Sequence, residues 1–466
     1  LLLSFFCSVI SLAQLSREEL SDLIQNGSKA KLVENHSLLT FSGFHYQANT
    51  VADRLLEIDS ENANFNYRKG FSVMNSSKDF RKSIPYLEKA VQKVNKNYDI
   101  ASPRETAAPV EAHFNLGVAY HLAVKLDEAI EQYELFLENA KKKNEFRDEA
   151  KLRIKQCLVA KELIKENKFN FEIENIGNTI NTAAPEYAPI VSLDGAALYF
   201  ASRRLRADSS NLDILEPGTD LYPEDVYVSY LDFDGAFMPP SIMEFSKADR
   251  NEAPTAVSID ERLFYVFKDH TGNGDIYYTN FQGSKFRDLQ WFDTPGVNTD
   301  FWEPHITVTQ DGSEKYFVSD RPGGYGGRDI YKIVKQKDGS WSEPINLGPS
   351  INTEYDEDSP FIAVDNKTLY FSSNGPKSMG GFDVFMAKRK GNGEWGDPVN
   401  LGAPLNSTGD DIYYTTTADG FTGYFSSFRP GGFGNIDIYR IKNTSLGIKN
   451  LAAIKGEIET LDNLDI

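Results

Sequence analysis

Residues 311–331, DGSEKYFVSDRPGGYGGRDIY, contain the pattern that decides the fold of this chain. Asp311-Gly312 predicts a tight hairpin turn, because Asp and Gly tolerate the positive φ that such turns require. The run through Tyr316-Phe317 predicts a strand, and a glycine-rich loop separates it from another strand that begins with Asp329-Ile330-Tyr331. The stretch is therefore typical of antiparallel strands in one β-sheet.

The same pattern returns at a nearly constant spacing through the second half of the chain. Its Asp-Ile-Tyr elements are 50 residues apart once and 54 residues apart three times, a period that fits one four-stranded blade. We therefore expect a five-bladed β-propeller over residues 169–443, with six blades as the alternative. The elements are Asp225-Val226-Tyr227, Asp275-Ile276-Tyr277, Asp329-Ile330-Tyr331, Asp383-Val384-Phe385 and Asp437-Ile438-Tyr439. The hairpin turns before them are Asp194-Gly195, Asp260-Glu261, Asp311-Gly312, Asp365-Asn366 and Asp419-Gly420.

An outer strand ends the unit with the motif Trp-x-x-Pro-x-Asn-Leu-Gly, at residues 341–348 and 395–402. The fifth unit lacks this strand after Tyr439. Its counterpart lies at the start of the domain, where residues 175–182 (NIGNTINT) match residues 346–353 (NLGPSINT). We expect this N-terminal strand to pair into the last blade, because a closed ring leaves no exposed sheet edge.

Residues 14–168 show helical periodicity instead, with almost no Gly or Pro inside the periodic stretches. In residues 111–140, the positions of Gly117, Ala129 and Tyr133 match those of a tetratricopeptide repeat, whose small residues let paired helices approach each other. Weaker copies precede this unit and a last helix follows it. We therefore expect a tetratricopeptide-type α-solenoid that binds a peptide on its concave surface, the alternative being a helical spacer.

Composition and the N-terminal segment narrow the function classes. The 466 residues carry a formal net charge of −19, which argues against nucleic-acid or anionic-membrane binding.

Residues 1–13 form an apolar run with a small-x-small ending, so we expect a signal peptide, too short to span a bilayer, and an exported protein. Lipid attachment at Cys7 is the alternative. Cys157, in a predicted helix, is expected to be a buried and inert thiol.

Acidic residues gather where the first strand of each blade begins, a position near the central channel of a propeller. We interpret them, together with a neighbouring tryptophan, as an interaction rim at the propeller mouth. The paired carboxylates of a glycosidase and a bound cation are the alternatives, but these acids recur with the fold, as a scaffold feature would. The predicted rim consists of Glu186, Glu252, Trp302, Glu303, Glu357, Asp358, Asp410 and Asp411.

Catalytic signatures do not occur in the sequence. The six His residues lack zinc-site spacing, and neither a GxSxG nor an HExxH motif is present. The glycine-rich loops at residues 321–328 and 429–434 precede strands, whereas phosphate-binding loops precede a helix, so we interpret them as inter-strand loops. We therefore expect no catalytic residue, no cofactor, no metal and no enzyme activity.

The blade pattern, with Asp-Gly hairpin, Tyr-Phe-Ser-Ser and Asp-Ile-Tyr, resembles the PD40 propeller repeats related to those of TolB. Tetratricopeptide repeats followed by such a propeller resemble the multidomain OmpA-family envelope proteins of Bacteroidota, including the PorE-type members of the type IX secretion and gliding apparatus. The resemblance implies that residues 444–466 are a linker and the first strand of a carboxypeptidase-regulatory-like β-domain. It also implies an OmpA-like peptidoglycan-binding domain in a longer parent protein.

The same resemblance implies a function. We expect a non-enzymatic periplasmic scaffold, associated with the outer membrane or cell wall, that docks envelope proteins of a secretion or motility machinery. Peptidoglycan would be bound only through the C-terminal domain that residues 1–466 do not include. The alternative is a carbohydrate-active or glycan-binding β-propeller.

Overall fold

The computed structural model describes residues 14–76, 79–216, 221–269, 272–283 and 285–444. Within them, an N-terminal helical unit is followed by an all-β unit, as the two kinds of periodicity predict. The predicted signal peptide, Cys7 and the predicted third domain after residue 444 lie outside the described residues. None of the described helices is long and apolar enough to cross a membrane.

The helical unit contains eight α-helices in the described residues, and consecutive helices from α2 to α8 pack against each other. Ser16 begins the first of them with a capping box, in which its side chain and that of Glu19 each accept the other residue's backbone N–H. Helices α1 to α8 are Arg17–Asn26, Lys29–Phe41, His45–Ile58, Ala63–Ser76, Ile84–Ala90, Glu111–Leu122, Leu126–Asn139 and Arg147–Glu166. A 3-10 turn (Phe80–Ser83) and the short paired strands β1 (Val94–Asn95) and β2 (Ala108–Pro109) flank α5.

Two glycines set the spacing inside the helical hairpins. A Cβ atom on Gly117 of α6 would lie 2.7 Å from ring carbons of Tyr133 in α7. One on Gly70 of α4 would lie 2.6 Å from Cγ of Leu87 in α5. Neither crossing accommodates a side chain, so the helices approach this closely only because both residues are glycine. Ala129 is fully buried in α7, which agrees with the small-residue contact predicted for this hairpin.

The all-β unit is a five-bladed propeller, the blade number expected from the repeats. Strands β3 to β23 are Phe171–Asn175, Glu186–Val191, Ala197–Ser202, Asp225–Tyr230, Ser241–Ile242, Asn251–Val257, Leu263–Asp269, Asp275–Gln282, Lys285–Phe286, Gln290–Trp291, Ile306–Val308, Glu314–Ser319, Asp329–Val334, Ile345–Asn346, Glu357–Ile362, Thr368–Ser373, Asp383–Lys388, Val399–Asn400, Asp411–Thr416, Thr422–Ser427 and Asp437–Asn443. Blade 1 is β4–β7, blade 2 is β8–β12, blade 3 is β13–β16, blade 4 is β17–β20, and blade 5 is β21–β23 with β3.

Each blade follows the predicted strand order. The repeating Asp begins the third strand of all five blades. The second residue of every predicted hairpin turn has a positive φ, which explains why Asp-Gly and Asp-Asn pairs occur there. These residues are Gly195 (76°), Glu261 (56°), Gly312 (66°), Asn366 (54°) and Gly420 (68°).

Strand β3 closes the ring by pairing antiparallel with β23 in blade 5. Asn175 of β3 is the partner of Tyr439, as Asn346 of β16 is the partner of Tyr331 in blade 3. The equivalence that the sequence predicts between residues 175–182 and 346–353 is therefore present in the strand register. The first strand of each blade also contacts the first strands of both neighbouring blades, so these five strands surround the propeller axis.

The helical unit packs against one face of the propeller, which we call the helix-side face. Met379, in the loop between β18 and β19, is 1% exposed and belongs to the same hydrophobic cluster as Tyr133 and Phe136 of α7. The side chains of Phe80 and Phe428 also meet across the interface, with ring centroids 5.5 Å apart. The two units therefore share one buried interface.

Hydrogen bonds fix the orientation of this interface. Nε2 of His121 lies 2.8 Å from the Met379 carbonyl oxygen, and because a carbonyl only accepts, Nε2 carries the proton. The Gln156 amide donates to the carbonyl oxygens of Asn374 and Gly375 at 2.9 and 3.2 Å. Burial lowers the pKa of His121 to about 4, aided by the charge of a nearby arginine, so the ring is neutral at pH 7.

Candidate functional site

The acidic residues that begin the first strands lie on the helix-side face, but they are not exposed to solvent. Glu186, Glu252, Glu303, Glu357 and Asp411 each have 0% exposed surface. A buried carboxylate is unfavourable unless hydrogen bonds or a cation compensate it. The hydrogen-bond and ion-pair partners of each carboxylate therefore determine its role in the structure.

In blade 3 the carboxylate joins a loop to the sheet. Glu303 accepts hydrogen bonds from the amide and hydroxyl of Thr299 at 3.0 and 2.7 Å. It also accepts from the Ser319 hydroxyl at 2.6 Å and from Nη2 of Arg321 at 3.1 Å. Arg321 donates further to the Val297 carbonyl oxygen at 2.8 Å. The carboxylate and the guanidinium together hold the loop before β13 against the end of β14.

The guanidinium of Arg321 also stacks on two aromatic rings. Its central carbon is 5.0 Å from the ring centroids of both Phe317 and Tyr331, within cation–π range. Blades 1 and 5 repeat the whole arrangement. The equivalent groups are Glu186, Thr182, Ser202, Arg204, Phe200 and Tyr227 in blade 1, and Asp411, Ser407, Ser427, Arg429, Phe425 and Tyr439 in blade 5.

Blade 4 keeps the carboxylate and its hydroxyl partners but has no arginine. Glu357 accepts from the Thr353 amide and hydroxyl at 2.6 and 2.8 Å, and from the Ser373 hydroxyl at 2.8 Å. The residue two positions after this serine is Gly375, where blade 3 has Arg321. The fourth partner of the carboxylate is therefore missing in blade 4.

A cavity of about 430 Å³ occupies the corresponding space, and we call it the blade-4 cavity. Burial, opposed by the hydrogen bonds from Thr353 and Ser373, raises the pKa of Glu357 to about 7. This carboxyl is therefore close to half-protonated at neutral pH. The cavity is lined by Tyr325, Pro349, Ser350, Ile351, Asn352, Thr353, Glu354, Tyr355, Glu357, Phe371, Ser373, Gly375, Pro376, Lys377, Phe385 and Pro398.

Blade 2 departs further from the arrangement. One oxygen of Glu252 accepts the Lys247 backbone N–H at 2.9 Å, while Oε1 has no hydrogen-bond partner among the described residues. Lys268 of β9 occupies the cross-strand position that a serine holds in the other blades. Burial raises the pKa of Glu252 to about 7, against the opposing effects of the Lys247 N–H and the Lys268 charge.

The other predicted rim residues have separate roles. The ring of Trp302 is half-buried and packs on Phe267, with centroids 5.3 Å apart. Asp358 is buried and forms an ion pair with Arg328. Asp410 is exposed and accepts a backbone N–H from the loop between β18 and β19 at 2.9 Å. Six of the eight residues of the predicted interaction rim are therefore buried acids, which the fold uses as internal hydrogen-bond acceptors.

The channel between the first strands is nearly closed. The rings of Tyr187 and Tyr413 stack with centroids 6.1 Å apart, and the His305 ring lies 5.7 Å from Tyr413. The space left beside them is about 10 Å³, roughly one water molecule. Burial lowers the pKa of His305 to about 4. This space beside Tyr413 and His305 is smaller than a sugar ring.

The glycine-rich loops lie between second and third strands, as the sequence predicts. In blade 3, the backbone N–H groups of Tyr325 and Gly326 donate to the Asp329 carboxylate at 2.6 and 3.1 Å. These N–H groups therefore donate to a carboxylate of their own blade.

Over the part of the chain that the structure describes, no three His, Cys, Asp or Glu side chains are placed to hold a metal ion. Cys157 is a buried free thiol, as predicted, and burial raises its pKa to about 12.

A groove of about 950 Å³ separates the helical unit from loops of blades 1 and 5, and we call it the interdomain groove. Tyr46 on the helical wall is 53% exposed, and Leu205 on the propeller wall is 41% exposed. No pattern in the sequence indicates this groove, because Tyr46 and Leu205 on its two walls are about 160 residues apart along the chain. The groove is lined by Gly43, His45, Tyr46, Asn75, Thr182, Ala183, Ala184, Arg203, Arg204, Leu205, Leu221, Tyr222 and Asn435.

Comparison with known proteins adds structural neighbours only. No protein-family model matches the chain, and no curated protein matches it. Among solved structures, a glycoside hydrolase is 10% identical, with a TM-score of 0.42, over 64% of this chain and 98% of that one. A putative TolB from Agrobacterium tumefaciens is 16% identical (TM-score 0.34; 59% and 90% covered), and TolB from Acinetobacter baumannii is 16% identical (0.32; 56% and 54%). The tetratricopeptide assignment and the OmpA-family resemblance stay predictions.

Proposed function

We propose that this protein is a non-enzymatic scaffold of the bacterial envelope that binds polypeptide segments of other envelope proteins in its interdomain groove. The observation that carries this proposal is the groove itself, with exposed apolar side chains such as Tyr46 and Leu205 on its two walls. The buried interface at Met379 supports it further, since a fixed interface holds the two walls at a constant separation.

The state of the carboxylates supports a binding role over catalysis. Glycoside hydrolysis requires an acid and a second carboxylate on either side of a bound sugar. Glu303 and Asp411 are instead buried and paired with arginines, and the helical unit packs on the face where these strands begin. A glycan-binding or glycan-cleaving propeller is the second candidate, because acidic residues recur where the first strand of each blade begins.

The cellular setting of the proposal rests on the sequence. The predicted signal peptide and the resemblance to OmpA-family envelope proteins support a periplasmic location, near the outer membrane or cell wall. They also support partners from a secretion or motility machinery, and contact with peptidoglycan only through a domain beyond residue 466.

The groove can be tested by charge insertion. We expect Leu205→Glu to abolish co-purification of the envelope proteins that the wild-type chain recovers from cross-linked envelope extracts, because a carboxylate on the apolar wall opposes docking. The control is Phe233→Glu, since Phe233 is fully exposed in the β6–β7 turn at the opposite face. Equal recovery by both variants would contradict the groove, and turnover of a glycan panel by the wild type would favour the second candidate.

A further inference from the structure

We infer that the blade-4 cavity is a binding site for a guanidinium group supplied by another molecule. The internal repeat carries the argument, because three other blades show what this space holds when it is filled. In each of them an arginine of the same blade occupies it: Arg204, Arg321 or Arg429. The inference concerns a different surface from the interdomain groove and does not depend on the function proposed above.

Blade 4 presents the same receptor groups as blade 3. The rings of Phe371 and Phe385 are 5.9 Å apart with an interplanar angle of 19°, and those of Phe317 and Tyr331 are 5.8 Å apart at 25°. The first pair lines the cavity, whereas the second pair carries the guanidinium of Arg321. A guanidinium in the blade-4 cavity would therefore find the same aromatic surface.

The hydrogen-bond acceptors are in place as well. Glu357 lines the cavity and accepts from Thr353 and Ser373 as Glu303 does from its partners in blade 3, but without the arginine. Ile351 also lines the cavity, at the position where Val297 of blade 3 accepts a hydrogen bond from the arginine. A planar donor fork matches a carboxylate and a carbonyl together better than an ammonium does.

The charge of the cavity favours a cation. Burial already disfavours the ionised form of Glu357 and raises its pKa, and an entering guanidinium would reverse that effect. Lys377 is the one cationic residue of the lining; its side chain is exposed, and it forms no ion pair with Glu357 in the described part of the chain. The protein's own cations therefore leave the acidic group of the cavity uncompensated.

The cavity is reachable from solvent. Glu354 and Lys377 at its edge are exposed, and no residue of the helical unit lines it, although Gln156 bonds to the Gly375 carbonyl oxygen beside it. The volume of about 430 Å³ also accommodates the aliphatic part of an arginine side chain. Free arginine and an arginine within a polypeptide share this chemistry.

The test measures binding of a capped tripeptide, acetyl-Gly-Arg-Gly-amide, to the full chain by calorimetry at pH 8. We expect saturable binding at one site, with binding at least about tenfold weaker for the citrulline peptide, which keeps the shape but lacks the charge. The lysine peptide should also bind more weakly, because it lacks the planar fork. Equal binding of the arginine and citrulline peptides would overturn the inference.

Gly375→Arg is the decisive variant, since it supplies the arginine that the other blades have. A Cβ atom there would lie 3.3 Å from Cδ2 of Tyr355 and 3.6 Å from Oγ of Ser373, so the side chain needs only a small shift of that ring. We expect it to abolish peptide binding, whereas the control Gly391→Arg, on an open turn of the same blade, retains it. Unchanged binding by Gly375→Arg would overturn the inference.

Two further measurements keep the inference testable if Gly375→Arg does not fold. Glu357→Gln should weaken binding at least about tenfold, because it removes the negative charge and preserves the size of the side chain. Wild-type affinity should rise as the pH increases through 7, when Glu357 ionises. A Glu357→Gln variant that binds like the wild type would contradict the site. Free L-arginine, compared with the capped peptide, shows whether the natural ligand is a metabolite or a polypeptide.

Discussion

The loops between second and third strands differ between blade 4 and blades 3 and 5, although all three are nine residues long, at residues 320–328, 374–382 and 428–436. In blades 3 and 5 the loop supplies the arginine that pairs with a buried carboxylate. In blade 4 it supplies no arginine, and Met379 of this loop is buried against the helical unit. Phe428, which begins the blade 5 loop, also contacts that unit. One repeat can therefore lose an internal ion pair and still bury its loop in an interface, without a change in loop length.

The same loops also differ in side-chain exposure at a second position. Tyr325 in blade 3 and Phe433 in blade 5 are 51% and 40% exposed, whereas Met379 at the equivalent place in blade 4 is 1% exposed. Met379 packs among α6, α7 and α8, and Gln156 bonds to the start of the same loop. Blade 4, which lacks the arginine, therefore buries this loop against the helical unit.

The largest effect is expected for Arg321→Ala in blade 3. The substitution leaves the Glu303 carboxylate buried without a cation, so we expect the free energy of unfolding to fall by about 4 kcal/mol. Urea denaturation of the full chain at pH 7 measures it. Arg440→Ala is the control, because the Arg440–Glu174 pair is partly exposed and contributes about 1 kcal/mol or less. Similar losses of free energy of unfolding in both variants would show that the buried arginine of blade 3 contributes no more than a partly exposed one.

Met379→Ala should lower the free energy of unfolding by about 3 kcal/mol, because it leaves a cavity between blade 4 and the helices. Phe433→Ala, at the exposed equivalent position, should cost less than about 1 kcal/mol. All four tryptophans lie in the propeller, so tryptophan fluorescence follows the propeller and far-ultraviolet circular dichroism at 222 nm follows the helices. The two signals should coincide in the wild type and separate in Met379→Ala. Coincident transitions in that variant would mean that the interface depends little on Met379.

The smallest effect is expected for Gly375→Arg, and it depends on pH. The pKa of Glu357 is raised to about 7 in the folded chain, so wild-type stability is lost as the pH rises from 4.5 through 7, by about 3 kcal/mol. A new guanidinium favours the ionised carboxylate and removes this loss, while ordering its side chain costs about 2 kcal/mol. We expect a net stabilisation of about 1 kcal/mol at pH 8 and a net destabilisation of up to about 2 kcal/mol at pH 4.5, where only the ordering cost remains, from urea titrations at both values. A variant with the wild-type pH dependence would show that the new arginine does not reach Glu357.

Much of the fold was predictable from local patterns. The Asp-Gly turns, the Asp-Ile-Tyr strands and the match between residues 175–182 and 346–353 led to five blades and to the closing strand. The candidate site was less predictable. The sequence shows that Glu186 and Glu303 belong to a repeating set but does not show that they are buried, because exposure depends on the neighbouring loop and arginine and not on the acid itself.

The repeat period, the strand order and the ring closure of the propeller can all be inferred from the amino-acid sequence, as can the helical nature of residues 14–168. These properties follow from contacts within one repeat or between adjacent repeats, and the sequence pattern that produces those contacts recurs along the chain. Three features become visible only in the folded chain: the contact of Met379 with the helical unit, the blade-4 cavity beside Gly375, and the groove between Tyr46 and Leu205. Those features depend on pairs of residues far apart in the chain, and burial and charge compensation between such pairs arise only when the chain is folded.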